Sequence, residues 1–360
     1  MAPHTTFVIP CHNAGRHLCL LLRSLLHQTA QSLELLLVDA ASTDHSVALA
    51  REIAGPRIRI EHNKQRLGLS SNWNRCTRAV KTEFFCIAHM DDVYRPTYLE
   101  EMVAELRRHP EAGMVHCRAE VLDEDDAVVE SHVEQFKERF WQASHSWDPE
   151  TQFPLLLRGN YIVCPSALYR SEAHRQVGTF RKDMSFAVDW DYAFRMLLSG
   201  WHIRGVRNRL FAYRRHQRSA SISAQKKLLR YHEELEVLQC YRAAGIEAGW
   251  VPDRHKGSPG GVVDIKPVIG LASPHGEALP GHDGLRLRRP IGHGGRPQAC
   301  SAGLPLPRTR DRRCQQLSAK TQGSRSRTWQ QLLGSPLWSS TGTDSKTPEK
   351  LWAPCSGVFE

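Results

Sequence analysis

Asp91 and Asp92, within CIAHMDDVYRP (residues 86–96), set two carboxylates side by side where a short apolar run leaves the interior. Hard oxygen ligands of this kind hold Mg²⁺ or Mn²⁺ against a phosphate. An acidic doublet also makes a solvated turn, because Asp is common in turns. Three further polar clusters follow apolar runs in the same way: PCHN at 10–13, DAASTD at 39–44 and HNKQRLG at 62–68. None is GxGxxG, and no GxxxxGK[ST] occurs, so dinucleotide binding and P-loop phosphoryl transfer lose their usual supports. Without a glycine cradle, a cation on Asp91 is the economical way to hold a phosphate.

The elements that must position these groups alternate between two periods. TFVIP reads as a strand ending at Pro10, and Leu18, Leu21, Leu22, Leu25 and Leu26 then recur at helical spacing. LELLLVD is the next strand, ending at Asp39; VALAREIA is helical, RIRIEH alternates as a strand, Asn72 to Val80 is helical and EFFCIAH is again a strand. This βαβαβαβ order predicts an α/β fold, with a mainly parallel sheet covered by helices on both faces. In such sheets ligands bind beyond the carboxyl ends of the strands, where the polar clusters lie.

Composition bounds the rest. With 360 residues and 41% apolar residues, the chain can build a substantial core. The net charge of +10 is unevenly spread: Val251 to Glu360 holds 16 Lys and Arg against 8 Asp and Glu, leaving the first 250 residues nearly neutral. Nucleic-acid binding by the folded part is therefore not expected. The same tail carries 12 of the 20 prolines and 15 of the 25 glycines. It reads as disordered or poorly folding chain, with a functional basic tail or a shifted reading frame after about Trp250 as alternatives. The expected division is a domain at 1–245 and a tail at 246–360. Ten cysteines without a CxxC pair indicate neither a zinc knuckle nor a disulfide scaffold, and reduced cytosolic thiols are expected. The start MAPHTTFVIPC has no signal-peptide pattern and no apolar run reaches bilayer length, so the expected location is cytoplasmic, with peripheral membrane contact compatible.

The segments VIPCHNAGRHL, LLLVDAASTDHS, NKQRLGLSSNWNRC, FFCIAHMDDVYRPTYLE, NYIVCPSALYRSEAHRQVGTF, AVDWDYAFRMLLSGW and AYRRHQRSASIS, in this order across residues 5 to 223, resemble the family 2 glycosyltransferases with a GT-A fold. The resemblance implies a Rossmann-like nucleotide-binding part at about 1–118 and an acceptor part at about 119–245. It also implies an inverting transferase that takes sugar from a nucleotide diphosphate sugar, commonly a UDP-sugar, with Mn²⁺ or Mg²⁺ as cofactor. A glycan, a lipid-linked molecule or a protein would be the acceptor, as in polysaccharide biosynthesis. The QxxRW-like motif and membrane helices of processive members are absent, so one transfer per binding event is expected.

Residue by residue, Asp39 matches the acid that contacts the nucleotide base, and Pro10, Cys11 and Asn13 match the loop lining its pocket. Ala40 and Ala41 stand where the family often has Asp and Gly. Arg66 and Asn74 match positions beside the nucleotide. His89, Met90 and Asp91 occupy the DXD signature, so Asp91 is the implied metal ligand, His89 a ribose, phosphate or metal contact, and Asp92 a supporting carboxylate or turn former. Asp189 matches the Asp of the ED-type motif, with Val188 replacing Glu, and is the implied general base; a helix cap is its structural alternative. Asp191 is the rival, two residues on in the same helical turn. His216, beside Arg214, Arg215 and Arg218, matches a histidine that approaches the metal or diphosphate. Trp73, Trp190 and Trp201 fit either sugar stacking or the core. A nucleotidyltransferase and a catalytically inactive nucleotide- or glycan-binding relative are the other readings.

Overall fold

The computed structural model describes residues 4–15, 17–143, 146–215 and 228–253. Strands β1 (Thr5–Cys11), β2 (Leu33–Asp39), β3 (Ile58–His62) and β4 (Phe84–Ile87) are parallel and stand in the order β3-β2-β1-β4. Helices α1 (His17–Leu26), α2 (Ser46–Ala54) and α3 (Leu69–Arg78) connect them. The alternation read from the sequence holds over this half. α3 begins three residues earlier than its apolar pattern suggested, because extended Gly68 ends the preceding loop and its carbonyl accepts from Asn72 N–H.

The second half extends the same sheet with mixed polarity. Its elements are β5 (Val93–Tyr94), α4 (Tyr98–Arg108), β6 (Ala112–Leu122), β7 (Val128–Val129), α5 (His132–Ala143), α6 (Pro149–Leu156), β8 (Leu168–Arg170), α7 (Ser171–Val177), α8 (Val188–Leu198), β9 (His202–Arg214) and α9 (Leu229–Glu247). The order continues β4-β8-β6-β9-β5, with β7 on β6. β8 runs antiparallel to β4 and β6, while the long strands β6 and β9 pair in parallel.

Period-2 alternation sorts the strand side chains onto two helix layers. Phe7, Ile9, Leu35, Leu37, Phe84 and Cys86 face Leu18, Leu22 and Leu25 of α1, Leu49 of α2 and Met102 of α4. Val8, Leu36, Val38, Phe85 and Ile87 face the other way, onto Trp73 of α3, Phe153 of α6, Phe194 of α8 and Tyr241 of α9. Phe194 stacks on Tyr241 at 4.5 Å and meets Phe153 edge-on at 4.9 Å. Such aromatic pairs add ~0.5–1.5 kcal/mol each beyond area burial.

Trp73 and Trp190 are core residues, and Trp201 is partly buried with its indole N–H on Gln176. Packing continues past residue 245: a Cβ on Gly245 would lie 2.6 Å from Phe153 and 2.7 Å from Val251, so α9 and the residues after it sit tightly on α6. Cys11, Cys76, Cys86, Cys117 and Cys164 are free and buried, whereas Cys19 and Cys240 each take part in a disulfide, a departure from the fully reduced set expected. No described helix is long and apolar enough to cross a membrane. Residues 254–360, most of the expected tail, lie outside the described residues.

Candidate active site

The strand order reverses between β1 and β4, and in open α/β sheets ligands bind beyond the carboxyl ends of the strands at such a point. The β1–β4 ladder ends at Val8 opposite Ile87, but β1 runs on beside β2 until Cys11 faces Asp39. Pro10 lies beyond the last β4 pair, so its missing N–H costs that ladder nothing.

The loops after β1 and β2 are bonded to each other. Asn13 N–H donates to Ser42 Oγ at 3.0 Å, Thr43 N–H to Asn13 Oδ1 at 2.9 Å and Ala14 N–H to Ser46 Oγ at 2.9 Å. Asp39, 5% exposed, accepts from Ser42 N–H at 3.0 Å and from His62 Nδ1 at 3.2 Å. Asn13 and Ala41 have φ of 50° and 59°. Asn tolerates this left-handed conformation, but Ala strains in it, which is the physical reason for Gly being suited to position 41. Burial, helped by the Asp39 carboxylate, pushes the Cys11 thiol up to about 12, so Cys11 is an inert part of this region. Arg66 is exposed between β3 and α3. Asn63 and Asn72, joined at 2.9 Å, are further amides in this region that sequence reading passed over.

At β4 the strand has ended before the acidic pair. Asp92 N–H donates to the His89 carbonyl at 3.3 Å, closing a turn that separates the two carboxylates. Asp92 is buried and accepts from Arg214 N–H at the end of β9 at 3.2 Å; burial, and then Asp91, raise its pKa well above the usual carboxylate value. Arg214 in turn pairs with Asp126 and donates to the Asp123 carbonyl. Asp92 thus braces the turn from behind, while Asp91 is the more accessible carboxylate. Burial lowers the His89 pKa against the pull of Asp91, keeping the imidazole neutral. His89 packs on Trp73 at 5.6 Å, and His89 Nε2 and Trp73 Nε1 are buried without a hydrogen-bond partner among the described residues.

A further acidic group lies at the start of α8. Asp189 lies in its first turn and accepts from Asn160 Nδ2 at 3.1 Å; burial raises its pKa, which the Asn160 bond and the amides of Asp189 and Trp190 oppose. Burial, and then the Asp189 carboxylate, raise the pKa of the Cys164 thiol well above its usual value. Asp191 turns away, 0% exposed: it accepts from Arg195 Nε at 2.9 Å and from Tyr241 OH of α9 at 2.7 Å, with Arg181 at 3.7 Å. Asn74 is likewise committed elsewhere, because its amide both donates to and accepts from the Phe180 backbone at 2.8 Å. Asp191 and Asn74 are both buried and held by these partners.

Among the described residues no three His, Cys, Asp or Glu side chains converge as a cation site. Asp91 and His89 supply two adjacent groups, one carboxylate and one neutral imidazole. That set fits a divalent cation whose remaining ligands are phosphate oxygens and water. His216 lies outside the described residues.

Residues 6–178 match the sequence model of glycosyl transferase family 2. This segment is a family 2 glycosyltransferase domain. The chain is 28% identical over 201 residues to the uncharacterized protein MT1568 of Mycobacterium tuberculosis, covering 54% of this chain and 62% of that protein. It is 26% identical over 235 residues to the putative glycosyltransferase EpsH of Bacillus subtilis, covering 63% and 65%. The chain thus spans less than two thirds of each relative's length. The transferase fold also matches the mannosyltransferase PcManGT of Pyrobaculum calidifontis, solved with GDP-Man and Mn²⁺, with a TM-score of 0.51 and 19% identity over 69% of this chain and 65% of that one. S. aureus TarS 1-349, solved with UDP-GlcNAc, matches with a TM-score of 0.50 and 14% identity over 69% and 73%. The described transferase fold is thereby GT-A-like, as the sequence resemblance implied.

Proposed function

We propose that the chain transfers a sugar from a nucleotide diphosphate sugar, a UDP-sugar, to an acceptor hydroxyl with inversion at the anomeric carbon. The observation that carries this reading is the match of residues 6–178 to the glycosyl transferase family 2 model, with Asp91 on the turn after β4 and Asp189, its pKa raised by burial, in the first turn of α8. In this reading Asp189 is the proton acceptor and the Asp91–Asp92 turn binds the diphosphate. The nucleotide lies on Pro10, Cys11, Asn13 and Asp39. Asp189 takes the acceptor proton as the acceptor oxygen forms its bond to the anomeric carbon, and the bond to the diphosphate oxygen breaks on the opposite face. Burial raises the Asp189 pKa, which makes it a better proton acceptor than a solvated carboxylate. Asp91 and His89 would hold Mn²⁺ or Mg²⁺, which supplies positive charge against the charge developing on the diphosphate.

The acceptor part is built from residues after about 118, and the acceptor is a glycan, a lipid-linked molecule or a protein. Relatives named as glycosyltransferases and a neighbour solved with UDP-GlcNAc support a nucleotide-sugar donor. The test is a panel of nucleotide sugars with Mn²⁺, with product anomers assigned by NMR. Release of UDP with transfer and inversion is expected, and failure with every donor would sink the reading. Asp91→Asn should abolish the Mn²⁺-dependent part of UDP binding in calorimetry.

A further inference from the structure

Asp189 stands on a helix start that has no cap of its own. Ala187 occupies the capping position and offers no side-chain acceptor, and the loop before it presents three successive backbone N–H groups. All three donate to one carboxylate from another element. Glu233 of α9, 5% exposed, accepts from Ser185 N–H at 2.8 Å through Oε1, and from Phe186 and Ala187 N–H at 2.8 and 2.9 Å through Oε2. Successive amides gathered on one anion form a backbone nest, and the positive end of the α8 dipole lies beside it. Beyond Val188, the amides of Asp189 and Trp190 act on the Asp189 carboxylate and oppose the rise in its pKa.

We propose that Glu233 is the positioning residue for Asp189, with α9 acting as a strut beyond the family-matched residues 6–178. The proposal rests on the transferase reading above. Two further contacts lock α9 to α8 at the proper distance: Tyr241 OH on Asp191, and the Tyr241 ring on Phe194. On its other side the loop is tied to α3 through Ser70 on the Met184 carbonyl and Asn74 on Phe180. The loop is therefore clamped from both sides, and Glu233 is the clamp that reaches the residues adjoining α8. Replacing one oxygen by an amide NH₂ removes the charge that all three N–H groups share, leaves at least one of them without an acceptor, and lets the first turn of α8, with Asp189, shift. A displacement of ~1 Å at a reacting group costs on the order of 10²-fold in rate.

The test compares Glu233→Gln with Glu236→Gln, a variant of an exposed residue on the same helix. Turnover, donor KM and amide exchange at Ser185–Ala187 are measured on the full chain, with the donor found by the panel. Glu233→Gln should lower kcat by about ten-fold or more with donor KM nearly unchanged, and should speed exchange at the three amides, whereas Glu236→Gln should do neither. Unchanged kcat in Glu233→Gln, or a loss confined to KM, overturns the proposal while leaving the transferase reading intact. A wild-type chain that transfers from no donor overturns the transferase reading, and the positioning role with it.

Discussion

The loops after β1 and β2 and the start of α8 each present a carboxylate, and they hold it by different means. In the first region, Asp39 is fixed by the loops that follow adjacent strands, through bonds such as Asn13 with Ser42 and Thr43, between segments about one βα unit apart. At the start of α8, Asp189 depends on partners scattered through the chain. Asn160 holds its carboxylate, Glu233 holds the preceding loop, and Ser70 and Asn74 tie that loop to α3 from more than a hundred residues away. A region built from neighbouring units can form as the strands pair. The other region requires the whole domain, including α9, to be in place. Mutations should therefore act locally on the first region and through global stability on the second.

Replacement of Asp191 should break this contrast most severely. Asp191→Ala removes a fully buried carboxylate and leaves Arg195 and Tyr241 without their acceptor. Because the arginines are about a quarter exposed, the loss should be near the lower end for a broken buried pair, about 3 kcal/mol in denaturant unfolding. Loss of a transition shared by α8 and α9 with no change in stability would contradict the strut. Asp39→Asn acts on the first region: it keeps an acceptor for Ser42 but loses the negative partner of His62. Nucleotide affinity should fall about ten-fold, or ~1.4 kcal/mol, with the unfolding midpoint little moved. The smallest effect belongs to Ala41→Gly, which relieves a left-handed alanine and should stabilise the chain by about 1 kcal/mol. A destabilised Ala41→Gly variant would show that the strain is not borne there.

The same contrast explains what could be read in the sequence. The first four strands, their helices and the polar strand ends follow from period and turn chemistry, because each depends on residues close in sequence. The mixed second half does not, since short strands such as Leu168–Arg170 take their identity from β4 and β6 on either side. Among site residues, Asp91 and Asp92 were visible as a pair, but their different fates depend on Arg214, over a hundred residues later. The sequence also offered no way to tell that Asn74 and Asp191 are committed to Phe180 and Tyr241. Glu233 had no signal at all: it lies past the last resembling segment, and one glutamate on a helix reads as a solvated residue.

The most direct measurement is turnover and donor dissociation constant for Asp189→Asn beside Asp191→Asn, with wild-type turnover followed against pH. Asn keeps the size and capping ability of Asp but cannot accept the proton. Asp189→Asn should lose ~10²-fold or more in turnover with donor affinity unchanged. Asp191→Asn, if folded, should stay within about an order of magnitude. Because burial raises the Asp189 pKa, wild-type turnover should fall on the acid side at a higher pH than a solvated carboxylate would give, as the base becomes protonated. An active Asp189→Asn, or loss of turnover in Asp191→Asn alone, would contradict the account.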